Sequence, residues 1–235
     1  MKYRDRHTFA MNSLTGTLAS EDQKWRRGPL LYISSVQYFV TQLLVSLRWS
    51  PPYSLNRNTI SDLGNTTCGH FNGRFVCSPL HALMNVSFVV LGVTMIVGSA
   101  LMNCDHSTRR SNTIGFAFIG VGGFGVIFVG LFPENSVSII HGIASALPFV
   151  IGNIGVLTLG LSLKVAVRIR FLTSLAGVVS LLALAFYASS SYLGLGEGGL
   201  ERLVAYPQTL WLIFFGAYCL FGYQKVPSRE PRIDG

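Results

Sequence analysis

Five stretches of the chain carry almost no charge. Between Pro79 and Asn103 the only Asp, Glu, Lys, Arg or His is His81, and between Ser111 and Pro133 there is none. Asn135 to Leu163 holds only His141, while Phe171–Gly196 and Leu203–Gln224 hold none. Each run reaches the roughly 20 residues that cross the ~30 Å hydrocarbon core of a bilayer. A soluble protein could neither expose nor bury so many such runs. A sixth run, Leu30–Leu47, is weaker because it includes Ser34, Ser35, Gln37, Thr41 and Gln42. Those side chains are costly against lipid, so they are expected to face other helices. Arg48-Trp49-Ser50-Pro51-Pro52 ends this run, and no small-residue cleavage pattern follows it, so it reads as a span rather than a signal peptide.

The pattern predicts an all-α polytopic membrane helix bundle. Its six spans are Leu30–Leu47, Pro79–Met102, Thr113–Phe132, Ser136–Leu163, Phe171–Tyr187 and Tyr206–Tyr223. The transmembrane domain is then 30–224, between a basic tail at 1–29 and a second tail at 225–235. Ser78-Pro79 suits a helix start, and Ser136 is read as the cap of the fourth span. His141 would then lie roughly 7–8 Å below that cap at 1.5 Å per residue. The third span carries Gly115, Gly120, Gly122, Gly123, Gly125 and Gly130. Small residues let helices approach closely in lipid, so this helix is expected to be central. The glycines of 194–202 suggest a loop folded against the helix ends.

Charge adds orientation. The 235 residues are only 12% charged, with a net charge of +8, against about 25% charged in a typical soluble domain. One side of the predicted topology holds Lys2, Arg4, Arg6, Lys24, Arg26, Arg27, Arg109, Arg110, Lys164, Arg168, Arg170, Lys225, Arg229 and Arg232. The other holds Arg48, Arg57, Arg74 and Arg202. This asymmetry puts both termini in the cytoplasm. The expected location is the plasma membrane. Basic residues scattered over short loops and tails do not form a nucleic-acid surface. The expected partner is membrane lipid. Cys68 and Cys77 fall in the first outside loop, where oxidation is permitted. Their spacing admits a disulfide or a reduced pair and is wide for a metal pair. Cys104 falls in a cytoplasmic loop and Cys219 within the last span.

The candidate chemistry gathers on the outside. Gly130-Leu131-Phe132-Pro133-Glu134-Asn135-Ser136, running on to His141, joins two spans through a short turn. Asp62, His81, Glu134, His141, Glu197, Glu201 and Arg202 all fall at extracytoplasmic helix ends in this topology. Asp62, Glu134, His141, Glu201 and Arg202 are the candidate ligand-binding set, with Arg202 suited to a phosphate or carboxylate. Asp62, His81, Glu134 and His141 are the candidates for acid–base catalysis, or for ligating a zinc ion with an open water position. An alternative is a lid in which the same groups only pair with one another. The chain has no His-x-x-x-His, His-Glu-x-x-His or Gly-x-Ser-x-Gly motif.

Three segments resemble the signature segments of the domain-of-unknown-function 998 family. They are Ile60-Ser61-Asp62-Leu63-Gly64, then Gly130-Leu131-Phe132-Pro133-Glu134 with His141-Gly142, then Gly199-Leu200-Glu201-Arg202 with Tyr206-Pro207 and Trp211. The likeness covers roughly residues 30–224 and implies a six-span prokaryotic membrane protein. A more distant similarity is to the Frag1/DRAM/Sfk1 group. The family carries no established reaction, and the Cys68–Cys77 segment is not a feature of it. Three functions are therefore compared: recognition of a lipid headgroup or small ligand in an outward polar pocket, metal-assisted lipid hydrolysis, and small-molecule transport.

Overall fold

The structure is a computed structural model and describes residues 26–106 and 110–222. The chain is a helical bundle: α1 (Arg27–Ser34), α2 (Val36–Ser46), α3 (His81–His106), α4 (Arg110–Leu131), α5 (Ser138–Ala146), α6 (Asn153–Ser162), α7 (Val167–Ala188) and α8 (Gly196–Ala217). A π-helical segment, Leu147–Gly152, joins α5 to α6, and another, Tyr218–Gly222, ends the described chain. Among the described residues five helical stretches are long and apolar enough to cross a membrane: His81–Asn103, Arg110–Leu131, Ser138–Ser162, Val167–Ala188 and Gly196–Gly222. The expected first span is built from α1 and α2, joined through Ser35, whose backbone stays in the right-handed helical region. The expected tails fall largely outside the described residues, as do 107–109 of the cytoplasmic loop.

The polar residues of α1 and α2 behave mostly as their cost in lipid requires. Ser35, Thr41 and Gln42 are buried. Gln37 exchanges hydrogen bonds with Ser87, donating to its carbonyl at 3.1 Å and accepting from its hydroxyl at 2.7 Å. Ser34 is the exception. It is exposed and satisfies its hydroxyl on its own helix, at Leu31 O (2.6 Å).

Helix α4 packs against α3, α5, the π-helical segment and α6. Its glycines make that possible. A Cβ at Gly123 would stand 2.7 Å from the Gly92 carbonyl oxygen and 2.9 Å from Met95 Cβ. Pro148 lies in the π-helical segment. Its ring nitrogen carries no N–H, so the ordinary α ladder cannot continue through it, and the turn widens.

Three connections meet at one end of the bundle. The longest, between α2 and α3, contains a 3₁₀ turn (Ser61–Gly64) and a hairpin of β1 (Gly69–Phe71) and β2 (Arg74–Val76). Its register pairs Gly69 with Val76 and Phe71 with Arg74. Asn72 (φ 48°) and Gly73 (φ 75°) make the tight turn, both left-handed as a type I′ hairpin requires. A disulfide between Cys68 and Cys77 closes the open end of the hairpin.

Several boundaries differ from those expected. The second span's helix begins at His81, and Ser78 donates its hydroxyl to Leu63 O (2.6 Å) instead of capping it. Helices α4 and α7 begin earlier than expected, at Arg110 and Val167. Helix α8 begins at Gly196, so Glu197, Glu201 and Arg202 lie on a helix rather than in a loop. The segment packs directly on the 53–59 stretch: the Gly198 N–H donates to Asn56 O at 2.9 Å, and a Cβ there would stand 2.1 Å from Asn58 O. Its charged side chains find partners in the same connection, Glu197 at Arg74, Glu201 at the Ile60 N–H and Arg202 at the Leu55 and Asn58 carbonyls. Helix α5 begins at Ser138 with no side-chain cap. Ser136 turns back on Pro133 O (2.8 Å), so His141 sits within the first turn, nearer the end than expected.

Replacing Gly123 with Ala is expected to destabilise the bundle by about 1–3 kcal/mol through overpacking. Gly120→Ala, at a position where a Cβ meets nothing within 4 Å, should be neutral or slightly stabilising. Thermal unfolding of the two variants side by side checks the contrast. Equal behaviour would show that the α3–α4 approach is not set by this contact.

Candidate functional site

Asp62 has no exposed surface. The local sequence already satisfies part of it. Thr59-Ile60-Ser61-Asp62 forms a reciprocal cap: the Asp62 N–H donates to Thr59 Oγ1, and the Thr59 N–H donates to Asp62 Oδ2, both at 3.0 Å. Asn58 Nδ2 adds a bond at 3.2 Å. The charge itself is met by Arg74 across the hairpin, whose Nε and Nη2 reach Asp62 Oδ2 and Oδ1 at 2.6 and 3.0 Å. This two-point contact is the strong form of an arginine–carboxylate pair. Arg74 Nη1 goes on to Glu197 at the start of α8, at 2.7 Å.

Glu134 lies beside this pair, its Oε1 buried without a hydrogen-bond partner. Its pKa is pushed up to about 9. Burial is the largest cause, followed by a side-chain hydrogen bond to Asp62 that exists only while Glu134 is protonated, then by the charges of Asp62 and Glu201; Arg74 opposes. At neutral pH Glu134 is therefore an uncharged acid donating to Asp62.

Arg202 is buried differently. Its Nη1 donates to three backbone carbonyls, Leu55 (3.0 Å), Asn58 (2.9 Å) and Gly198 (2.7 Å). Nη2 donates to the Tyr53 hydroxyl, and the guanidinium carbon lies 5.4 Å from the Tyr53 ring centroid. Burial raises the Tyr53 pKa, so the phenol keeps its proton and donates it to the carbonyls of Thr59 (2.7 Å) and Asn58 (3.2 Å). Arg202 thus fastens α8 to the 53–59 segment.

A second layer lies against the first. Glu201, on the residue before Arg202, accepts from the Ile60 N–H and from Ser61 Oγ (3.2 Å). Ser61 Oγ also lies 3.0 Å from His141 Nε2. The other ring nitrogen, Nδ1, is 2.9 Å from Phe132 O. A carbonyl can only accept, so Nδ1 carries a proton, and in the neutral imidazole the Nε2 lone pair is the one that faces Ser61. Ser61 and Glu201 line a cavity of about 50 Å³ inside the bundle, whose walls include Phe88, Met95, Val126 and Phe149. Gln208 and Thr209 line it further along α8.

The structure therefore brings together Asp62, Glu134, His141, Glu201 and Arg202. His81 stands apart from that bonding, its Nδ1 2.9 Å from the Ser78 carbonyl. Among the described residues no group of three or more His, Cys, Asp and Glu side chains is arranged to hold a metal ion.

The model of the family described as Protein of unknown function (DUF998) matches residues 33–218, well over half of the chain. The chain belongs to the DUF998 family. No curated protein and no solved structure matches it. Every residue of the site falls within the matched region.

Sequence reasoning about this DUF998 protein missed Arg74, Ser61 and Tyr53 as site residues. For Arg74 a signal existed. Asn72-Gly73 between His70-Phe71 and Arg74-Phe75 is a strong short-range hairpin signal, and a hairpin would have fixed which face of β2 Arg74 shares with buried Val76. Ser61 had no such signal, because a serine gains meaning only from the imidazole that the fold brings to it.

Two outcomes follow for this DUF998 protein. Arg74→Met leaves the Asp62 charge buried and unmatched, which should cost about 3–5 kcal/mol of stability, read as a fall in melting temperature in detergent. Glu134 binds a proton in the folded chain that it releases near pH 4.5 when unfolded. Stability should therefore fall as pH rises from the unfolded value toward about 9 and then level off. Glu134→Gln should flatten that dependence, and an unchanged slope would show that Glu134 is not held protonated.

Proposed function

We propose that this protein is a six-span plasma-membrane protein, both termini cytoplasmic, that binds an amphipathic lipid or small amphipathic ligand in the cavity beneath its polar cluster. The charge asymmetry of the loops supports the orientation, and the meeting of three connections at one end agrees with a bundle of paired helices. The observation that carries the binding reading is the composition of the cavity. Its walls are largely apolar, and its polar residues are Glu201, Gln208 and Thr209 on α8 together with Ser61, Ser145 and Tyr38. Glu201, Ala205 and Gln208 recur at helical spacing on one face of α8, so Glu201 and Gln208 are separated by about 10 Å along the axis.

Gln208 is 4% exposed, and its amide nitrogen has no hydrogen-bond partner. A buried amide without a partner is costly. A ligand oxygen or an ordered water in the cavity would relieve it. At about 50 Å³ the cavity exceeds the roughly 10–15 Å³ that one water requires. It admits the polar end and first carbons of an amphiphile, not a whole lipid. Recognition of a headgroup by Arg202 is less favoured, because its Nη1 and Nη2 are already occupied by carbonyls and Tyr53.

Purified protein should bind a fluorescent fatty amphiphile such as 11-(dansylamino)undecanoic acid, with displacement by long-chain alcohols or monoacylglycerols. Ala205→Phe, which fills the cavity from its wall, should weaken binding about tenfold or more, equivalent to at least 1.4 kcal/mol. A folded Ala205→Phe protein that binds as well as the parent would sink the cavity as the site.

A further inference from the structure

We infer that Ser61 is a nucleophile and His141 its general base, and that the substrate is an acyl ester of an amphipathic lipid. The inference rests on the cavity being a ligand site.

The geometry has the parts that nucleophilic catalysis requires: a hydroxyl, a base within hydrogen-bond reach, and a third group that orients the base. Ser61 Oγ and His141 Nε2 are 3.0 Å apart. Phe132 O fixes the tautomer from the far side of the ring, a role that a carboxylate fills in other serine–histidine pairs. His141 is 6% exposed. Ser61 faces the cavity, and the imidazole is not among the groups that line it. A substrate would therefore meet the hydroxyl with the base behind it. Position in the fold adds a donor: Ser61 begins the 3₁₀ turn, where an N–H has no partner within the turn. The Ile60 and Asp62 N–H groups are bonded to Glu201 and Thr59, so the oxyanion is assigned to the Ser61 N–H.

The step balances without a co-reactant other than the acceptor. Ser61 Oγ forms a bond to the ester carbonyl carbon as its proton passes to His141 Nε2. The tetrahedral adduct collapses, the ester C–O bond breaks, and the departing alkoxide takes the proton from Nε2. An acyl-Ser61 remains. Water or a lipid alcohol then attacks the acyl carbon, giving its proton to Nε2; the acyl C–Oγ bond breaks, and Nε2 returns that proton to Ser61 Oγ. Glu201 Oε1 sits 3.2 Å from Ser61 Oγ and positions the hydroxyl between the two acceptors.

The test uses the full-length protein in micelles with a long-chain alkyl fluorophosphonate, read by intact mass and peptide mapping. One adduct is expected, on Ser61, formed by native protein and not by heat-denatured protein. Ser61→Ala should abolish it, and His141→Gln should slow its formation about 100-fold or more. Binding of the dansyl amphiphile, measured on the same samples, reports folding and the cavity separately. No adduct, an adduct elsewhere, or an undiminished rate in a binding-competent His141→Gln protein would overturn the nucleophile and leave the binding reading intact. A Ser61 adduct without amphiphile binding would support the pair and overturn the ligand assigned to the cavity. Failure of both would remove both.

Discussion

A carboxylate with no exposed surface, at the end of an apolar bundle, is the constraint on which this end of the molecule depends. Asp62 must be matched by charge and by hydrogen bonds, because an isolated buried ion is far too costly to persist. The chain meets this in three ways. The Thr59–Asp62 cap supplies local donors. The disulfide-closed hairpin delivers Arg74 to both Asp62 oxygens. Glu134 stays protonated and adds a donor instead of a second charge. Arg74 then reaches Glu197 and so links the 49–78 connection to the start of α8. The packing of three separate connections follows from satisfying one side chain.

The polar end divides into two layers with different prospects. In the upper layer Asp62, Arg74, Glu197 and Arg202 are matched by one another, by backbone carbonyls and by Tyr53. Groups so committed hold the lid in place and have little capacity left for a ligand. In the lower layer one hydroxyl proton on Ser61 faces two acceptors, Glu201 Oε1 and His141 Nε2. That arrangement leaves an acceptor unsatisfied at any moment, and it opens on a cavity. The lid reading raised by the sequence describes the upper layer, and the proposed ligand site concerns the lower one.

Gaps in charge made the helices legible, because no ion can be left in the hydrocarbon core and the spans are long. The same logic brought Glu134, His141, Glu201 and Arg202 to one end, since each sits near the rim of a charge-poor run, and placed Asp62 there through the outside connection that carries it. It failed where tertiary contact overrode local pattern. Glu197, Glu201 and Arg202 looked like loop residues, yet α8 begins before them because their charges are matched by the 53–74 segment. Arg74 counted only as one outside charge, although the Asn72-Gly73 turn foretold its hairpin. His81 was grouped with His141 as a candidate acid, base or ligand, but its imidazole is held by the Ser78 carbonyl just before its own helix.

The cavity exists because the backbone around it is irregular. Pro148 and Phe149, in the π-helical segment, form part of its wall. On the opposing helix Gln208 follows Pro207, which removes another ladder bond. The two elements touch, and the Gln208 amide lies so close to Gly152 that a Cβ there would stand 2.5 Å from it. Irregular backbone at membrane depth survives only where it is buried in protein or lines a cavity. A straight pair of helices here would close the space that Ser61 and Glu201 face. The widened turn, the helix with the interior proline and the unpartnered amide thus border one cavity, which Ser61 lines from above.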